Sequence, residues 1–318
     1  MSEAVALGEA LIDFTPAGCS ASGNPLFERN PGGAPANVLA QLARLGVDTA
    51  LIGKVGDDIF GQALRETFRS VGIRTDGLIL SQDYNTTLTF VQINEWGDRS
   101  FCFVRNHGAD KMLTPEDVNY RLLDGAKLFY FGGVALTDDP ARSTALAAAA
   151  EARRRGLLIA YDPNYRPLLW KEDAARVLKQ GLQFADVLKV SDLECQMLSG
   201  EENLEAGSAL LSEQYDIPLV FVTLGPKGAA FRFGSIYRQQ PTFDVKTVDT
   251  TGAGDSFFGS VLYRILRTGK RVNELSSDEI DEFMRFANAA GSLVTTKKGA
   301  VCSMPDLGQI QALLTRAG

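Results

Sequence analysis

The chain has 318 residues, of which 45% are hydrophobic, which is enough for one large core with a small appendage. Its formal net charge of −7 at pH 7 argues against nucleic acid or an anionic membrane surface as a partner. No apolar run is long enough to span a bilayer, and the first residues lack the basic start of a signal peptide.

The cysteine and histidine content narrows the chemistry further. The four cysteines are scattered without metal-ligand spacing, which indicates reduced thiols in a cytoplasmic protein. His107 is the only histidine, so a histidine triad or a histidine-rich metal site would depend on that one ring. We therefore expect a carboxylate as any catalytic base.

The first predicted element is a strand from Val5 to Phe14. Asp13 lies near its C-terminal end, where side chains face the ligand crevice of an open α/β sheet; a loop-capping role is the alternative. Residues 15–30 are rich in glycine and proline and predict an irregular segment.

A glycine pair precedes a helix predicted from Val38 to Leu45. Gly32 and Gly33 offer backbone amides at the helix start, and Asn37 carries both donors and an acceptor, which suits a sugar diol. Taken alone, the glycine pair also fits an ordinary turn.

Alternating strands and helices follow, which predicts a mostly parallel sheet. The predicted strands are Ala50–Val55, Gly77–Leu80, Leu128–Phe131, Leu157–Tyr161, Val187–Val190 and Leu219–Leu224, and the predicted helices include Phe60–Val71 and Ala141–Arg155.

This rhythm is interrupted by two β-rich segments, Thr86–Asn94 and Arg99–Arg105, joined by a predicted turn at Glu95–Asp98. We expect residues 15–30 and 84–106 to form a small β-sheet lid that excludes water from the crevice. Arg105 ends the hairpin and is a candidate sugar contact, with a solvated surface arginine as the alternative.

The same hairpin suggests a homodimer, because exposed strands often pair across a twofold axis. The evidence is an apolar face predicted for Leu88, Phe90 and Val91.

Polar residues follow the strand at 157–161. Asp162, Asn164 and Arg166 are candidates for contact with substrate or with the migrating phosphoryl group, and a simple turn is the alternative.

After the next strand, Ser191 and Glu194 have the spacing of a capping box, which is a structural reading. Lys189, just upstream, is either a phosphate neighbour or a strand-end lysine.

Further along, Thr223, Gly225 and Gly228 lie at a strand end and a glycine turn that suits nucleotide phosphates and ribose. The chain has no P-loop motif. Small residues around Asn288 suit a flat adenine ring, or equally the close packing of helices.

The most specific stretch is Asp249–Phe257, which we predict as strand end, tight turn and helix N-terminus, preceded by a strand containing Phe243, Val245 and Val248. Gly252 and Gly254 allow backbone amides to approach an anion, most plausibly phosphate. Asp255 inside such a cradle needs a separate role, and a general base that removes a hydroxyl proton fits it.

Together, the motifs at 32–37 and 249–257 resemble the two signatures of the PfkB (ribokinase-like) carbohydrate kinases. The resemblance implies a three-layer α/β/α sandwich in a single domain, residues 1–318, with the lid inserted. It further implies Asp255 as base, an anion hole of Gly252, Ala253 and Gly254, and a sugar site. The implied sugar contacts are Asp13, Gly32, Gly33, Asn37, Arg105, Asp162, Asn164 and Arg166. The implied nucleotide contacts are Lys189, Ser191, Thr223, Gly225, Gly228 and Asn288.

Within the family the sequence is most similar to fructokinases, on Gly8-Glu9 with Asp13, Arg105-Asn106, Asp162-Pro163-Asn164 with Arg166, and Lys189-Val190-Ser191. This similarity implies ATP-dependent phosphorylation of D-fructose at its 6-hydroxyl.

The resemblance also implies metal ions. Mg²⁺ accompanies ATP, and Glu194 helps to hold it through water, although Ser191 stands where the family has Asn. A monovalent cation, K⁺, is implied at Asp249, Thr251, Val294, Lys297, Gly299 and Ser303.

Three alternatives remain at this stage. The first is a related kinase whose substrate is 2-keto-3-deoxygluconate, aminoimidazole riboside or another furanose. The second is a regulatory homologue that binds its ligand without catalysis. A dinucleotide-dependent dehydrogenase is disfavoured, because the early Gly-x-Gly-x-x-Gly is missing.

Overall fold

The structure is a computed structural model that describes residues 2–93, 99–171 and 173–316, without the side chains of residues 92–93 and 99–101. In chain order its strands are β1 (Ala4–Leu7), β2 (Leu11–Cys19), β3 (Pro25–Gly32), β4 (Thr49–Gly56), β5 (Ile73–Ser81), β6 (Thr87–Ile93), β7 (Arg99–Val104), β8 (Leu128–Gly132), β9 (Leu158–Asp162), β10 (Val187–Ser191), β11 (Leu219–Thr223), β12 (Ala229–Phe233) and β13 (Ile236–Gln240). Its helices are α1 (Ala34–Arg44), α2 (Ile59–Ser70), α3 (Ala141–Arg154), α4 (Ala174–Leu182), α5 (Asp192–Ser199), α6 (Leu204–Tyr215), α7 (Ala253–Thr268), α8 (Ser277–Val294) and α9 (Leu307–Arg316).

Nine strands form the central sheet in the order β13-β12-β11-β10-β9-β8-β1-β4-β5. Pairing is parallel from β5 to β11, and β12 and β13 are added antiparallel at one edge. The predicted mostly parallel sheet is confirmed.

The inner strands of the central sheet are buried on both faces, which explains why β1, β8, β10 and β11 are mostly apolar. Alternate residues of β1 point to opposite faces. Ala4 and Ala6 join a core covered by α1, α2, α7 and α8, whereas Val5 and Leu7 join a core covered by α3, α4, α5 and α6. The predicted three-layer α/β/α architecture is confirmed.

A second, four-stranded sheet has the order β3-β2-β6-β7. The predicted hairpin of β6 and β7 is present and antiparallel, and its turn at Glu95–Asp98 lies outside the described residues. Phe14 of β2 stacks on Phe90 at 4.9 Å between ring centroids and meets the edge of Phe60 in α2 at 5.8 Å. These rings attach the small sheet to the main body.

The prediction of one strand from Val5 to Phe14 is wrong, because the chain changes sheets after Leu7. β1 lies in the central sheet, while Leu11 already pairs with Gly32 and Thr87 in the small one. Gly8 lies where α1 crosses closely, since a Cβ there would approach Pro35 to 2.7 Å. Helix α1 accordingly begins at Ala34, four positions before the predicted start, with Pro35 tolerated in its first turn.

Residues 15–30 are not irregular. They belong largely to β2 and β3, an antiparallel pair with a register shift between Pro16 and Cys19. The prolines and glycines suggested an irregular segment. β3 is an edge strand of its sheet, however, and proline is tolerated in an edge strand.

The strand predicted at Phe243–Val248 is also wrong, because residues 241–247 have no regular structure. Two backbone amides of this segment bind α8 or the residue after it. Phe243 N donates to Ser292 Oγ in α8 (3.3 Å), and the N–H of Val248, which follows residues 241–247, donates to Thr295 O (2.7 Å). In the described ranges, no helix combines the length and apolar character needed to cross a membrane.

Candidate active site

The N-terminus of α7 forms the centre of the site. Gly252 caps the helix with a left-handed φ of 78°, which a residue with a side chain adopts only under strain. A Cβ on Gly252 would also lie 2.5 Å from the Ala300 Cβ. Ala253, Gly254 and Asp255 then form the first turn, whose amides have no partners within the helix. Of these, Ala253 N makes a long bond of 3.3 Å to Thr250 O.

Asp255 and Asn37 join the two sequence signatures. Asn37 Nδ2 donates to Asp255 Oδ2 at 2.7 Å. Burial raises the pKa of Asp255, against the opposing effects of Lys189, the Asn37 hydrogen bond and Arg166. The carboxyl is thus a stronger base than an exposed aspartate, and its position is fixed by α1.

A second contact joins the same two helices and was missed from the sequence. Ser256 Oγ donates to Gln41 Oε1 (2.7 Å), and Gln41 Nε2 donates to Pro305 O (3.0 Å). Asn37 and Gln41 are four residues apart, so they share one face of α1. That spacing was the only sequence signal available.

Lys189, on β10, lies beneath the first turn of α7. Its ammonium donates to Asp162 Oδ2 at 2.9 Å, and both side chains are buried. A Cβ on Gly254 would lie 3.2 Å from Lys189 Nζ. Burial works to lower the pKa of Lys189, but Asp162, Glu194 and Asp255 together raise it above its ordinary value. The lysine is therefore a positive charge fixed beside the predicted anion hole.

The loop after β9 is held by Glu194. Its two oxygens accept hydrogen bonds from Tyr165 N (2.6 Å) and Ser191 N (2.7 Å), so the predicted capping box is present and also holds the loop. Asn164 adopts a left-handed φ of 43° and donates its backbone N–H to Asp162 Oδ1 (2.9 Å). Arg166 is exposed, and its charge partly offsets the burial that raises the pKa of Asp13 and of Asp255.

Three of the predicted sugar residues, Asp13, Gly32 and Gly33, lie where the small sheet meets the start of α1. Gly32 leaves room for Asp13, because a Cβ on it would lie 2.5 Å from Asp13 Oδ2. Gly33 is equally constrained, with a φ of 111° and a Cβ position 2.3 Å from Glu9 O. Burial raises the pKa of Asp13 to about 6, against the opposing effects of the nearby Thr89 side chain and the charge of Arg166.

Arg105 is not the surface arginine offered as an alternative, because only 7% of it is exposed. Its guanidinium donates to Asp110 Oδ2 (2.8 Å), Thr137 Oγ1 (2.7 Å) and Val134 O (3.3 Å). These partners were not identified from the sequence. The arginine thus ties the end of β7 to the segment after β8.

The predicted nucleotide residues lie beyond α7, along β10, β11 and α8. Thr223 Oγ1 donates to Val190 O (3.3 Å), and Asn288 Nδ2 donates to Pro241 O (3.3 Å). The turn at Gly225 and Gly228 is closed by a bond from Gly228 N to Gly225 O (3.1 Å), and both glycines have positive φ. Gly291 packs closely on α7, where a Cβ would lie 3.2 Å from Ala253 O.

The predicted cation residues fall on two adjoining loops. Asp249 Oδ1 accepts from Thr251 N (3.0 Å) and Oγ1 (2.7 Å), while Oδ2 accepts from Gly299 N (3.1 Å). On the second loop, Lys297 N donates to Val294 O (3.4 Å) and Ser303 Oγ to Lys298 O (2.7 Å). The described part of the chain holds no cluster of three or more His, Cys, Asp or Glu suited to a metal ion.

Comparison with known proteins settles the family. Residues 1–307 match the model of the pfkB family carbohydrate kinases. The chain belongs to the pfkB family of carbohydrate kinases. The resemblance stated from the two signatures is thereby confirmed, and so is the assignment as an ATP-dependent sugar kinase.

Individual relatives of this pfkB-family chain agree. Fructokinase-2 of Solanum habrochaites is 40% identical over 316 residues, covering 98% of this chain and 95% of that protein. The fructokinase of Xylella fastidiosa with bound ATP superposes with a TM-score of 0.92 at 30% identity, covering 100% of this chain and 99% of that chain. A fructokinase double mutant of Vibrio cholerae O395, in a form with bound fructose, ADP and potassium ion, gives a TM-score of 0.87 at 32% identity and covers 98% and 99% of the two chains.

Proposed function

We propose that the protein is a fructokinase that transfers the γ-phosphoryl group of ATP to the 6-hydroxyl of D-fructose. The observation that carries this is the contact of Asp255 with Asn37 at the start of α7, where a half-buried carboxylate meets a predicted sugar-binding residue. The fructokinase relatives, with the fructose-bound Vibrio cholerae structure among them, support fructose as the acceptor.

In the proposed reaction, ionised Asp255 accepts the proton of the sugar hydroxyl as its oxygen attacks the γ-phosphorus in line with the departing ADP. The O–H bond breaks, an O–P bond forms, and the electron pair of the old O–P bond leaves with ADP. The proton ends on the Asp255 carboxyl. Burial raises the pKa of this group, which suits it to hold that proton transiently.

Two groups stabilise the charge on the transferred phosphoryl. The amides around Gly252, Ala253 and Gly254 point from the helix N-terminus, and they need no reorganisation during transfer. The ammonium of Lys189, held by Asp162 and adjacent to Gly254, supplies a full positive charge at the same place. Thr223, Gly225, Gly228 and Asn288 are proposed to border the nucleotide, with Ser191 nearby.

Mg²⁺ is proposed to accompany ATP, bound mainly by phosphate oxygens and water, as this hard cation prefers. Both oxygens of Glu194 already accept backbone hydrogen bonds, so this residue fits an indirect contact through water better than direct ligation. Bound with ATP, the ion neutralises charge on the β- and γ-phosphates.

A monovalent cation, K⁺, is proposed between the two loops that Asp249 joins. The residues fit in part: Thr251, Val294, Lys297, Gly299 and Ser303 offer carbonyl or hydroxyl oxygens, while Asp249 is already hydrogen-bonded to Thr251 and Gly299. Such an ion would order the turn that presents the anion-hole amides. If turnover without potassium or sodium equals turnover in potassium, this part is wrong.

The whole chain, residues 1–318, is proposed to act as one kinase domain, with the small sheet as a lid from about residues 15–30 and 84–106. The small sheet places Asp13 beside Gly32. Closure of this sheet over the site would keep water from competing with the sugar as the phosphoryl acceptor. The three exposed cysteines, Cys19, Cys102 and Cys302, are free thiols, which fits the proposed cytoplasmic location.

A homodimer through the small sheet is also proposed, with a revised surface. Phe90 and Val91 are adjacent in β6 and therefore point to opposite faces, so with Leu88 they do not form the single apolar face predicted. The face of Phe90 continues into Phe27, which meets Phe90 edge-on at 5.7 Å and is 42% exposed. Sedimentation equilibrium showing a monomer would remove this proposal.

The substrate assignment is tested by coupling ADP release to a spectroscopic readout over a panel of acceptors. The panel contains D-fructose, 2-keto-3-deoxygluconate, aminoimidazole riboside and other furanoses, and a reaction without acceptor gives the background hydrolysis rate. The highest kcat/KM is expected for fructose. A higher value for another acceptor transfers the assignment to it, and no turnover on any sugar favours a non-catalytic homologue.

A further inference from the structure

Glu9 is the part of the fructokinase-like pattern that the proposed reaction leaves without a role. It follows β1 and is only 4% exposed. Its Oε1 accepts a hydrogen bond from Ala34 N in the first turn of α1, at 2.9 Å. Its Oε2 is buried and has no hydrogen-bond partner in the part of the chain that the structure describes. Burying a carboxyl with one oxygen unpaired is unfavourable, which makes Glu9 a candidate for a functional role.

Helix α1 connects this carboxyl to the catalytic base. The residue before Ala34, Gly33, packs so tightly on Glu9 that a Cβ would lie 2.3 Å from the Glu9 carbonyl oxygen. Asn37, three positions after Ala34, donates to Asp255. The N-terminal turn of α1 is thus fixed at one end by Glu9 and presents Asn37 at the other.

We propose that Glu9 is a positioning residue whose ionised carboxylate holds the first turn of α1 where Asn37 meets Asp255. It acts through α1 and does not touch the reacting groups. An ionised acceptor makes a stronger bond to Ala34 N than a neutral one, and the positive end of the helix dipole favours the charge. This inference rests on the proposed function.

The surroundings of Glu9 allow it to gain and lose a proton near neutral pH. Burial raises the pKa of Glu9 to about 7, against its backbone hydrogen bonds, including the one from Ala34. The charged groups that act on it are Asp110, which raises the pKa further, and Arg105, which lowers it. These two form an ion pair at 2.7 Å, so their effects largely offset each other. The Tyr130 hydroxyl, on β8, is a further titratable neighbour; burial raises its pKa, and the charges of Asp162, Asp255 and Glu9 add to this.

Kinetics over pH test the role. At saturating fructose and ATP, wild-type kcat is expected to fall roughly three- to ten-fold as pH drops through the Glu9 pKa, because a charge-assisted hydrogen bond becomes a neutral one. Glu9→Gln should keep the low-pH value of kcat throughout this range, with unchanged KM for both substrates. Glu3→Gln, at the opposite end of β1, is the matched control and should follow the wild type.

Thermal unfolding tests the protonation of Glu9 independently of turnover. The folded pKa of about 7 exceeds the ordinary 4.5, so the stability that Glu9 contributes is present below 4.5 and lost as pH rises through about 7. Glu9→Gln should therefore unfold at a higher temperature than the wild type in alkaline buffer, and the difference should vanish toward acid pH. A Gln variant that is both slower and less stable in alkaline buffer would overturn the proposal.

Ala34→Pro provides a second variant if Glu9→Gln does not fold. It removes the donor N–H at a helix position where proline is tolerated, and kcat should be lowered and lose its dependence near pH 7. If Glu9→Gln has the same kcat and the same pH profile of kcat as the wild type, only the proposed role of Glu9 is wrong. If the wild-type protein turns over no sugar at all, the proposed function itself is wrong.

Discussion

Asn37 and Asp255 are 218 positions apart in the chain and are joined by a hydrogen bond of 2.7 Å. The bond connects the glycine-rich start of α1 with the glycine-rich start of α7. One helix carries the predicted sugar-binding residue and the other the predicted base and anion hole. Under the proposed function, this bond would align the carboxylate with the sugar acceptor, as efficient transfer requires.

Removing the Asn37 amide should slow catalysis more than it destabilises the fold. Asn37→Ala loses a hydrogen bond to an ionised group, worth about 1.5–3 kcal/mol, so kcat should fall by roughly ten- to a hundred-fold. Gln41→Ala is the matched control, because Gln41 joins the same helices but contacts Ser256 instead of the base. It should lower the unfolding temperature and leave kcat nearly unchanged. Equal kcat losses in both variants would contradict a specific role for Asn37.

The Lys189–Asp162 pair separates stability from catalysis. Lys189→Met leaves a buried carboxyl without its partner and should destabilise the protein by about 3–5 kcal/mol. Combining it with Asp162→Asn removes the unpaired charge and should recover most of that stability. Turnover should stay reduced by at least about ten-fold in both, because the charge near Gly254 is missing. A double variant with wild-type kcat would show that Lys189 is only structural.

The two ends of α7 provide a test of the anion hole. Gly252 and Gly269 cap the same helix with φ values of 78° and 67°. An alanine at either position should lose about 1–2 kcal/mol of stability through left-handed strain. Nothing lies within 4 Å of a Cβ on Gly269, whereas one on Gly252 would strike Ala300. Only Gly252→Ala should therefore displace the amides and lower kcat, and equal kcat values for the two variants would refute the assignment.

Protonation of Asp13 should make kcat/KM for fructose decrease at acid pH. Burial raises its pKa to about 6, and a sugar hydroxyl donates to the ionised form. We therefore expect kcat/KM for fructose to have its full value above this pKa and to decrease as the pH falls through it. Asp13→Asn should lack that component and raise KM while kcat at neutral pH holds. An unchanged pH profile of kcat/KM in this variant would count against Asp13 as a sugar ligand.

Local patterns predicted the start of α7 more accurately than they predicted the strands of the small sheet. The Asp249–Phe257 string predicted the start of α7 because glycine, small residues and helical periodicity coincide there. The hairpin of β2 and β3 was missed because Pro16 and Pro25 indicate breaks. Pro25 begins the edge strand β3, and Pro16 lies in β2 beyond the residues that pair with β6, so the sheet tolerates both. A strand was wrongly predicted near Phe243, because its spaced apolar residues fit a strand while its amides bind α8.

Long-range partners were beyond a single sequence. The contact of Ser256 with Gln41 and the burial of Arg105 against Asp110 and Thr137 depend on how separate elements pack. Asp110 and Thr137 have no motif of their own, so only the packed structure brings them to the arginine.

The most direct test of the account is kcat of Asp255→Asn with saturating fructose and ATP. Asparagine keeps the size of the side chain but cannot accept the proton, so kcat should drop by roughly 10²–10⁴ while the unfolding temperature and KM values stay close to wild type. Asp278→Asn, which changes an exposed acid in the first turn of α8, should retain full activity. A value of kcat for Asp255→Asn within about a factor of two of wild type would contradict the central claim that this carboxylate is the base.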